Sequence, residues 1–376
     1  MRLSRKRILI VVGTRPEAIK IAPVLHALHG AAARAEVEVC VTRQHSELLD
    51  PVLDLFQIRP GFDLALMKPN QGLAELTSRA LVALDGVYES FKPAVVVVQG
   101  DTTTALAASL SPFYRRVPVA HVEAGLRTAD LMAPWPEELN RRLTGVMASI
   151  HFAPTERARQ NLLREGVENE RIHVTGNTAV DAILSVVGRL RSEDGLRAQL
   201  DRRFDFLDAK RRLVLVTGHR RESFGGGFER ICAALAQLSR RSDVQIVYPV
   251  HLNPNVREPV FGILGGHDNV HLIEPVDYLA FAYLMMRSHI IISDSGGVQE
   301  EAPSLAKPVL VMRDVTERQE AVEAGAVRLV GTDVGRIVAG AERLLDDAAD
   351  YATMSRGINP FGDGHAAERI AGILTQ

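Results

Sequence analysis

Three carboxylates and one glycine corner carry the chemistry legible in this chain. Asp101 follows the apolar run Ala94–Gln99, Glu123 follows Val117–His121, and Glu137 follows the stiff lead-in Pro134-Trp135-Pro136. Acids at such ends can take and return a proton when a substrate is held within hydrogen-bond reach. The corner Ser293-Asp294-Ser295-Gly296-Gly297 joins the apolar run Ile290–Ile292 to a short helix expected over Val298–Leu305. Glycines there let backbone N–H groups approach a ligand, and a helix start adds donors, which makes a place for phosphate. Glu300 and Glu301 would repel phosphate but can accept hydrogen bonds from a pair of sugar hydroxyls, so a nucleotide fits better than bare phosphate. His219, Arg220 and Arg221 follow the run Leu213–Thr217, and Arg318 sits at the step Asp314–Arg318. Acids from the first half and phosphate binders from the second suit a reaction in which a phosphate leaves while a proton moves. The bland readings are that Asp101, before three threonines, caps a helix and that His121 and His251 are core histidines.

Elements that could hold these groups alternate along the whole chain. Apolar runs of strand length are separated by helix-period segments, the pattern of parallel sheets covered by helices. In the first half the strands are expected at Arg7–Val12, Val37–Thr42, Ala94–Gln99, Val117–His121, Ile150–Ala153 and Ile172–Thr175. In the second they are expected at Leu213–Thr217, Gln245–Pro249, Val270–Ile273, His289–Ser293, Pro308–Met312 and Ala326–Val330. Two sets of six imply an α/β protein with two doubly wound sheets. The first domain is placed at residues 1–180 and the second at 181–360, with a hinge within or just before the charged stretch Asp181–Arg212. Ligands of open parallel sheets bind beyond the carboxyl ends of the strands. Polar residues recur there in both halves, and two such edges facing across a hinge would form a cleft.

Composition narrows the classes further. The chain has 376 residues, 46% hydrophobic and 24% charged, with a formal net charge of −2. With no long basic run, nucleic acid and membrane surfaces are poor partners. Cys40 and Cys232 stand apart in apolar runs, which favours buried thiols in a reducing compartment. Arg2, Arg5, Lys6 and Arg7 precede an apolar run, but Ile8–Val12 is too short for a signal peptide and reads as a buried strand. A cytoplasmic location is expected. The phosphate-binding GxxxxGK[ST] loop, the GxSxG elbow and zinc-type ligand spacings are missing from the sequence, and no metal and no cofactor is expected.

The motifs GTRPEAIK (Gly13–Lys20), GDTTT (Gly100–Thr104), HVEAGLRT (His121–Thr128), PWPEELNR (Pro134–Arg141), TGHRRESFG (Thr217–Gly225), YPVHLNPNVREPV (Tyr248–Val260), SDSGGVQEEAPSLAKPVLVMRD (Ser293–Asp314) and NPFGDGHA (Asn359–Ala366) occur collinearly over nearly the whole chain. In them the sequence resembles the bacterial non-hydrolysing UDP-N-acetylglucosamine 2-epimerases. The resemblance implies two Rossmann-like domains facing across a cleft, the GT-B type, with the C-terminal helix 361–376 returning to the first domain. It also implies a homodimer that interconverts UDP-N-acetylglucosamine and UDP-N-acetylmannosamine without metal or nicotinamide, for surface-polysaccharide precursors. Carried over by position, it points to Asp101, Glu123, Glu137 and His219 as catalytic. UDP would be held by Arg15, Lys20, Phe281, Ser295, Gly296, Gly297, Glu301 and Arg318, with Glu301 on the ribose. Gln44, His45, Arg220 and His251 match positions at which members can bind a second UDP-N-acetylglucosamine as activator, although Lys68-Pro69-Asn70-Gln71 departs from the basic pattern some members carry. The rival readings are a hydrolysing relative, a glycosyltransferase of the same fold, and a nucleotide-sugar-binding regulator without turnover.

Overall fold

Valine and isoleucine runs without polar alternation are stable only when buried on both faces, and each one here becomes a strand of a parallel sheet. The computed structural model describes residues 5–32, 34–44, 46–68, 71–128 and 130–376. Arg2, His45, Pro69 and Asn70 lie outside them. The chain divides into one unit made of residues 1–182 and 362–376 and a second made of 183–361.

In the first unit the strands are β1 (Lys6–Val12), β2 (Ala35–Val41), β3 (Phe62–Asp63), β4 (Val95–Gln99), β5 (Val119–Val122), β6 (Ile150–Ala153) and β7 (Ile172–Val174). They lie in the order β3-β2-β1-β4-β5-β6-β7, every neighbouring pair parallel. In the second unit β8 (Arg212–Thr217), β9 (Val244–Pro249), β10 (Val270–Ile273), β11 (Ile290–Ser293), β12 (Val309–Val311) and β13 (Val327–Leu329) lie in the order β10-β9-β8-β11-β12-β13, again all parallel. Both sheets are doubly wound. The order reverses between β1 and β4 in one and between β8 and β11 in the other, and a crevice opens beyond the strand ends at each reversal.

Helices cover both sheets and bury the apolar faces. Leu9, Val11, Val96 and Val98 pack with Leu84, Tyr88 and Phe91 of the helix Leu73–Phe91. Val214, Val216, Ile246 and Ile292 pack with Phe228, Ile231 and Leu235 of the helix Gly226–Leu238. The last helix, Ala366–Leu374, packs on Arg15–Gly30. It is tied to the first unit by the Ala367 amide on Asp181 (2.8 Å) and by Arg369 on the Thr175 carbonyl (3.0 Å). Among the described residues no helix is long and apolar enough to cross a membrane.

Two sequence expectations are corrected. The first sheet has a seventh strand, β3, whose two residues are too few to show any period in the sequence. The helix after β11 starts at Gly296, not Val298, and gives way to a 3₁₀ turn over Ala302–Leu305. Pro303 has no N–H to continue the α-helical ladder there. Other strand ends move by one or two residues.

Two neighbouring strands each bury a histidine, His121 on β5 opposite His151 on β6. Burial pushes His121 down to about 3 and His151 down to about 4. A histidine with a depressed folded pKa stays neutral while the unfolded chain, with a value near 6.5, takes up protons. Its stabilisation is therefore complete above about pH 6.5 and falls as pH drops towards 4. Thermal melts between pH 7.5 and 5.0 should show a larger loss of Tm for the wild type than for His151→Gln; parallel curves would mean that His151 does not set the acid response.

Candidate active site

At the first reversal the turn after β1 must come close to the turn after β4, and Gly13 permits it. A Cβ on Gly13 would lie 2.1 Å from Thr104 Oγ1 and 2.6 Å from Thr42 Oγ1. Glu17, buried under these turns, is the tie between them. Its carboxylate accepts from the Gly13 and Thr14 amides (2.9 and 2.7 Å), from the Thr14 hydroxyl (2.8 Å) and, across the reversal, from the Thr102 hydroxyl (2.6 Å). Burial raises its pKa, and the four hydrogen bonds oppose that rise.

Asp101 is not the helix cap; Thr102 is, accepting from the Ala105 amide at 3.1 Å. The Asp101 carboxylate instead pairs with Arg141, while its carbonyl accepts from Asn140 at 3.0 Å. Both partners come from the helix Glu137–Met147, so that helix and the β4 turn are locked together. Glu123 has φ of +66°, the left-handed region that costs a non-glycine residue energy and recurs at functional sites. Its carboxylate is held by Lys20 Nζ (2.5 Å) and Gln99 Nε2 (2.9 Å). Lys20, expected on the nucleotide, is in this structure the ion-pair partner of Glu123. Glu137 opens its helix half-buried, and no hydrogen bond or ion pair engages it among the described residues. Its neighbour Glu138 is fully buried and takes up Arg142 (2.8 Å) and the Thr128 amide (3.1 Å). Arg15 is half-buried at the first position of the helix Arg15–Gly30. Gln44 accepts from the Thr104 hydroxyl at 3.0 Å, beside the same turns.

At the second reversal the organising group is Asp294, fully buried just past β11. One oxygen accepts the amides of His219 (2.7 Å) and Arg220 (2.8 Å), and the other lies 3.3 Å from His219 Nδ1. The His219 ring stacks on His251 with centroids 5.8 Å apart. The glycine corner follows Asp294. Arg318 lies over it so closely that a Cβ on Gly296 would be 3.0 Å from Arg318 Cζ. Arg318 is aimed by Glu300, which accepts from Nε at 3.0 Å and Nη2 at 2.7 Å, and by Thr316, whose hydroxyl accepts the Arg318 amide at 3.1 Å. Glu301 accepts from the Tyr278 hydroxyl at 3.1 Å, and Phe281, one turn along the helix Tyr278–Arg287, shares the Tyr278 face.

The structure thus gathers Asp101, Glu123 and Lys20 with Glu17 in the first unit. In the second it gathers His219, Arg220 and His251 around or beside Asp294, and Ser295, Gly296, Gly297 and Arg318 at the following corner. His45 is not described. Sequence reasoning passed over Glu17, Asp294, Arg141 and the Glu300–Arg318 pair. For Asp294 the available signal was a carboxylate in the turn that directly follows a buried strand. Among the described residues no three His, Cys, Asp or Glu side chains are grouped to hold a metal ion.

Two doubly wound parallel units with polar groups collected at both strand-order reversals define a chain of the GT-B class. A sequence profile of the UDP-N-acetylglucosamine 2-epimerase family matches residues 27–375. The chain is 60% identical over 369 residues to the UDP-N-acetylglucosamine 2-epimerase of Yersinia pestis, covering 98% of each. The crystal structure of UDP-GlcNAc 2-epimerase from Neisseria meningitidis bound to UDP-GlcNAc is 48% identical with a TM-score of 0.92, covering 98% of this chain and 99% of that one. The Methanocaldococcus jannaschii enzyme in complex with UDP-GlcNAc and UDP is 35% identical with a TM-score of 0.82, covering 98% and 99%. The chain belongs to the UDP-N-acetylglucosamine 2-epimerase family.

Glu300 is 1% exposed and its charge is met by Arg318. Arg318→Ala should destabilise the second unit by about 3–5 kcal/mol, because a buried carboxylate loses its counter-ion. Adding Glu300→Gln should recover at least about 1 kcal/mol in denaturant melts; a double variant that loses the full sum would show the two groups to be uncoupled.

Proposed function

We propose that this chain reversibly inverts C2 of UDP-N-acetylglucosamine, giving UDP-N-acetylmannosamine, by elimination and re-addition of UDP. The C2 hydrogen beside an acetamido group is not acidic, so a base alone does not remove it. Breaking the C1–O bond to the diphosphate makes C1 electron-poor and acidifies C2–H. Loss of that proton gives a glycal plus UDP, and return of a proton to the opposite face with re-addition of UDP at C1 completes the inversion. Two faces need more than one proton-handling group.

The observation that carries this reading is the unequal pairing of three acids in one unit. Asp101 is held by Arg141 and Glu123 by Lys20, whereas Glu137 has no partner among the described residues. A carboxyl without a counter-ion is the one most open to gaining and losing a proton, so Glu137 carries the proton to or from C2. Asp101 shares that role from the other face, and Glu123 orients the sugar. His219 acts at the departing diphosphate, where a donor gains strength as charge develops. Arg15, Arg318, Ser295, Gly296 and Gly297 hold the phosphates, Phe281 and Glu301 the nucleoside, and Glu301 takes the ribose hydroxyls. Lys20, paired with Glu123, joins the groups that hold UDP. Gln44, His45, Arg220 and His251 take a second UDP-N-acetylglucosamine as activator, and a cytoplasmic location goes with such a substrate.

We also infer a homodimer. Phe113, Tyr114 and Val146 are 54%, 72% and 83% exposed and border a groove of about 610 Å³ that Val117, Pro118 and Met147 continue. Exposed apolar side chains around a groove that Arg116, Ser149 and Arg171 also line suit an interaction site. Light scattering should give a dimer for the wild type, and Val146→Asp should shift it towards monomer; an unshifted mass would exclude that face.

The deciding experiment is incubation of the protein with UDP-N-acetylglucosamine in D₂O, followed by NMR. UDP-N-acetylmannosamine carrying deuterium at C2 is expected, and free N-acetylmannosamine with UDP would show hydrolysis instead. Glu137→Gln should leave UDP affinity within about two-fold and slow C2–H exchange by at least about 10²-fold; exchange at the wild-type rate would remove Glu137 from the proton path.

A further inference from the structure

His219 is gripped from both neighbouring strands. Its turn follows β8, its ring stacks on His251 beyond β9, and its backbone and Nδ1 face Asp294 beyond β11. Asp294 has no exposure to solvent. One oxygen is satisfied by the two amides, while Oδ1 makes no hydrogen bond among the described residues. A buried carboxylate oxygen left unpaired is costly, and His219 Nδ1, at 3.3 Å, is placed to relieve it.

We propose that Asp294 is a positioning residue that holds His219 in the tautomer protonated on Nδ1 and stabilises its imidazolium, leaving Nε2 to act on the sugar–diphosphate bond. The proposal rests on the reading of His219 as a group that acts on that bond. The ring itself is partly exposed, its side chain at 42%, so the second nitrogen can meet a ligand while the first stays on the buried carboxylate. As the C1–O bond breaks, the electron pair goes to the diphosphate oxygen, and a proton on Nε2 is shared with or passed to that oxygen. The neutral ring that remains keeps its Nδ1 proton on Asp294, and the reverse transfer serves re-addition.

An asparagine at 294 tests the arrangement, because the two backbone amides demand an acceptor. Its carbonyl must take the amides of His219 and Arg220, so its NH₂ must face Nδ1. That reverses the tautomer without changing the side chain's size. Nitrogen-15 NMR of histidine-labelled protein, with the His219 signals assigned by their loss in His219→Asn, reads the tautomer directly. In the intact wild type the neutral His219 should carry its proton on Nδ1, and in Asp294→Asn on Nε2. C2–H exchange in Asp294→Asn should fall at least about 10²-fold, as expected when a catalytic histidine is held in the wrong tautomer. UDP affinity should stay within about three-fold.

A wild-type ring protonated on Nε2 would overturn the proposal whatever His219 does, and this measurement needs no variant to fold beyond the one used for assignment. A reversed tautomer with undiminished exchange, alongside an inactive His219→Asn, would overturn the role of Asp294 while keeping that of His219. Full activity in His219→Asn would overturn the reading of His219 on which the proposal rests.

Discussion

The reversal of strand order is the constraint on which each half of this protein depends. Where β1 meets β4, and again where β8 meets β11, successive helices leave on opposite faces of the sheet, and the turns beyond the strands lose the covering a helix would give. Those turns have backbone amides pointing into the crevice and must be tied to one another by something other than the sheet ladder. Both units use a buried carboxylate. Glu17 joins the β1 turn to Thr102 beyond β4, and Asp294 joins the position beyond β11 to the amides beyond β8. Without its tie, each turn would leave amide donors in a half-dry crevice and its functional side chains without a fixed origin.

These ties turn ordinary strand ends into a rigid support for groups that have to be placed to a fraction of an ångström. In the first unit rigidity is passed outwards. Thr102 is fixed by Glu17 and caps the next helix; Asp101, one residue before, is fixed by Asn140 and Arg141 from the helix that opens with Glu137. The acids at this edge are thus connected through the scaffold rather than to one another. Glu123 completes the edge in a strained backbone conformation, held there by Lys20 and Gln99. Strain of this kind persists only where surrounding contacts over-determine it.

What could be read from the chain follows the same division. Strand positions and the α/β class were legible because unbroken runs such as Val95–Val98 admit no solvent-facing side. The collinear motifs carried the family. The two-residue β3 was not legible, since its pairing with Cys40 and Val41 depends on where the preceding loop is led rather than on its own composition. Among the polar residues, the sequence pointed to those at turn tips, Asp101 and His219. The supporting groups stayed hidden because their partners are remote. Asp294 meets His219 across 75 positions and Lys20 meets Glu123 across 103, and no local period encodes such a meeting. The pairing of Lys20 with Glu123 was hidden in that way, since a lysine one turn into a helix after a glycine turn has the same local context whether it meets a phosphate or a carboxylate.

If the glycine corner takes the diphosphate as proposed, the pairing pattern also bears on how an anion would be recognised by a chain of net charge −2. Arg318 lies over the glycine corner, yet Glu300 engages its Nε and Nη2, and Glu317, already paired with Arg313 at 2.9 Å, lies 3.6 Å from its Nη1. The corner as a whole is therefore not strongly positive, and long-range attraction does little to bring an anion to it. On the proposed placement, selection would come from short-range, directed donors, the backbone amides around Gly296 and the edges of a guanidinium whose plane is already fixed by Glu300. Such preorganised donors strengthen as charge develops on an oxygen without having to reorient. For the proposed elimination and re-addition, a strongly basic pocket would hold UDP tightly and resist its return to C1, whereas a nearly neutral, preorganised corner would stabilise the diphosphate as it leaves and still give it back. A reversible reaction is better served by the second arrangement.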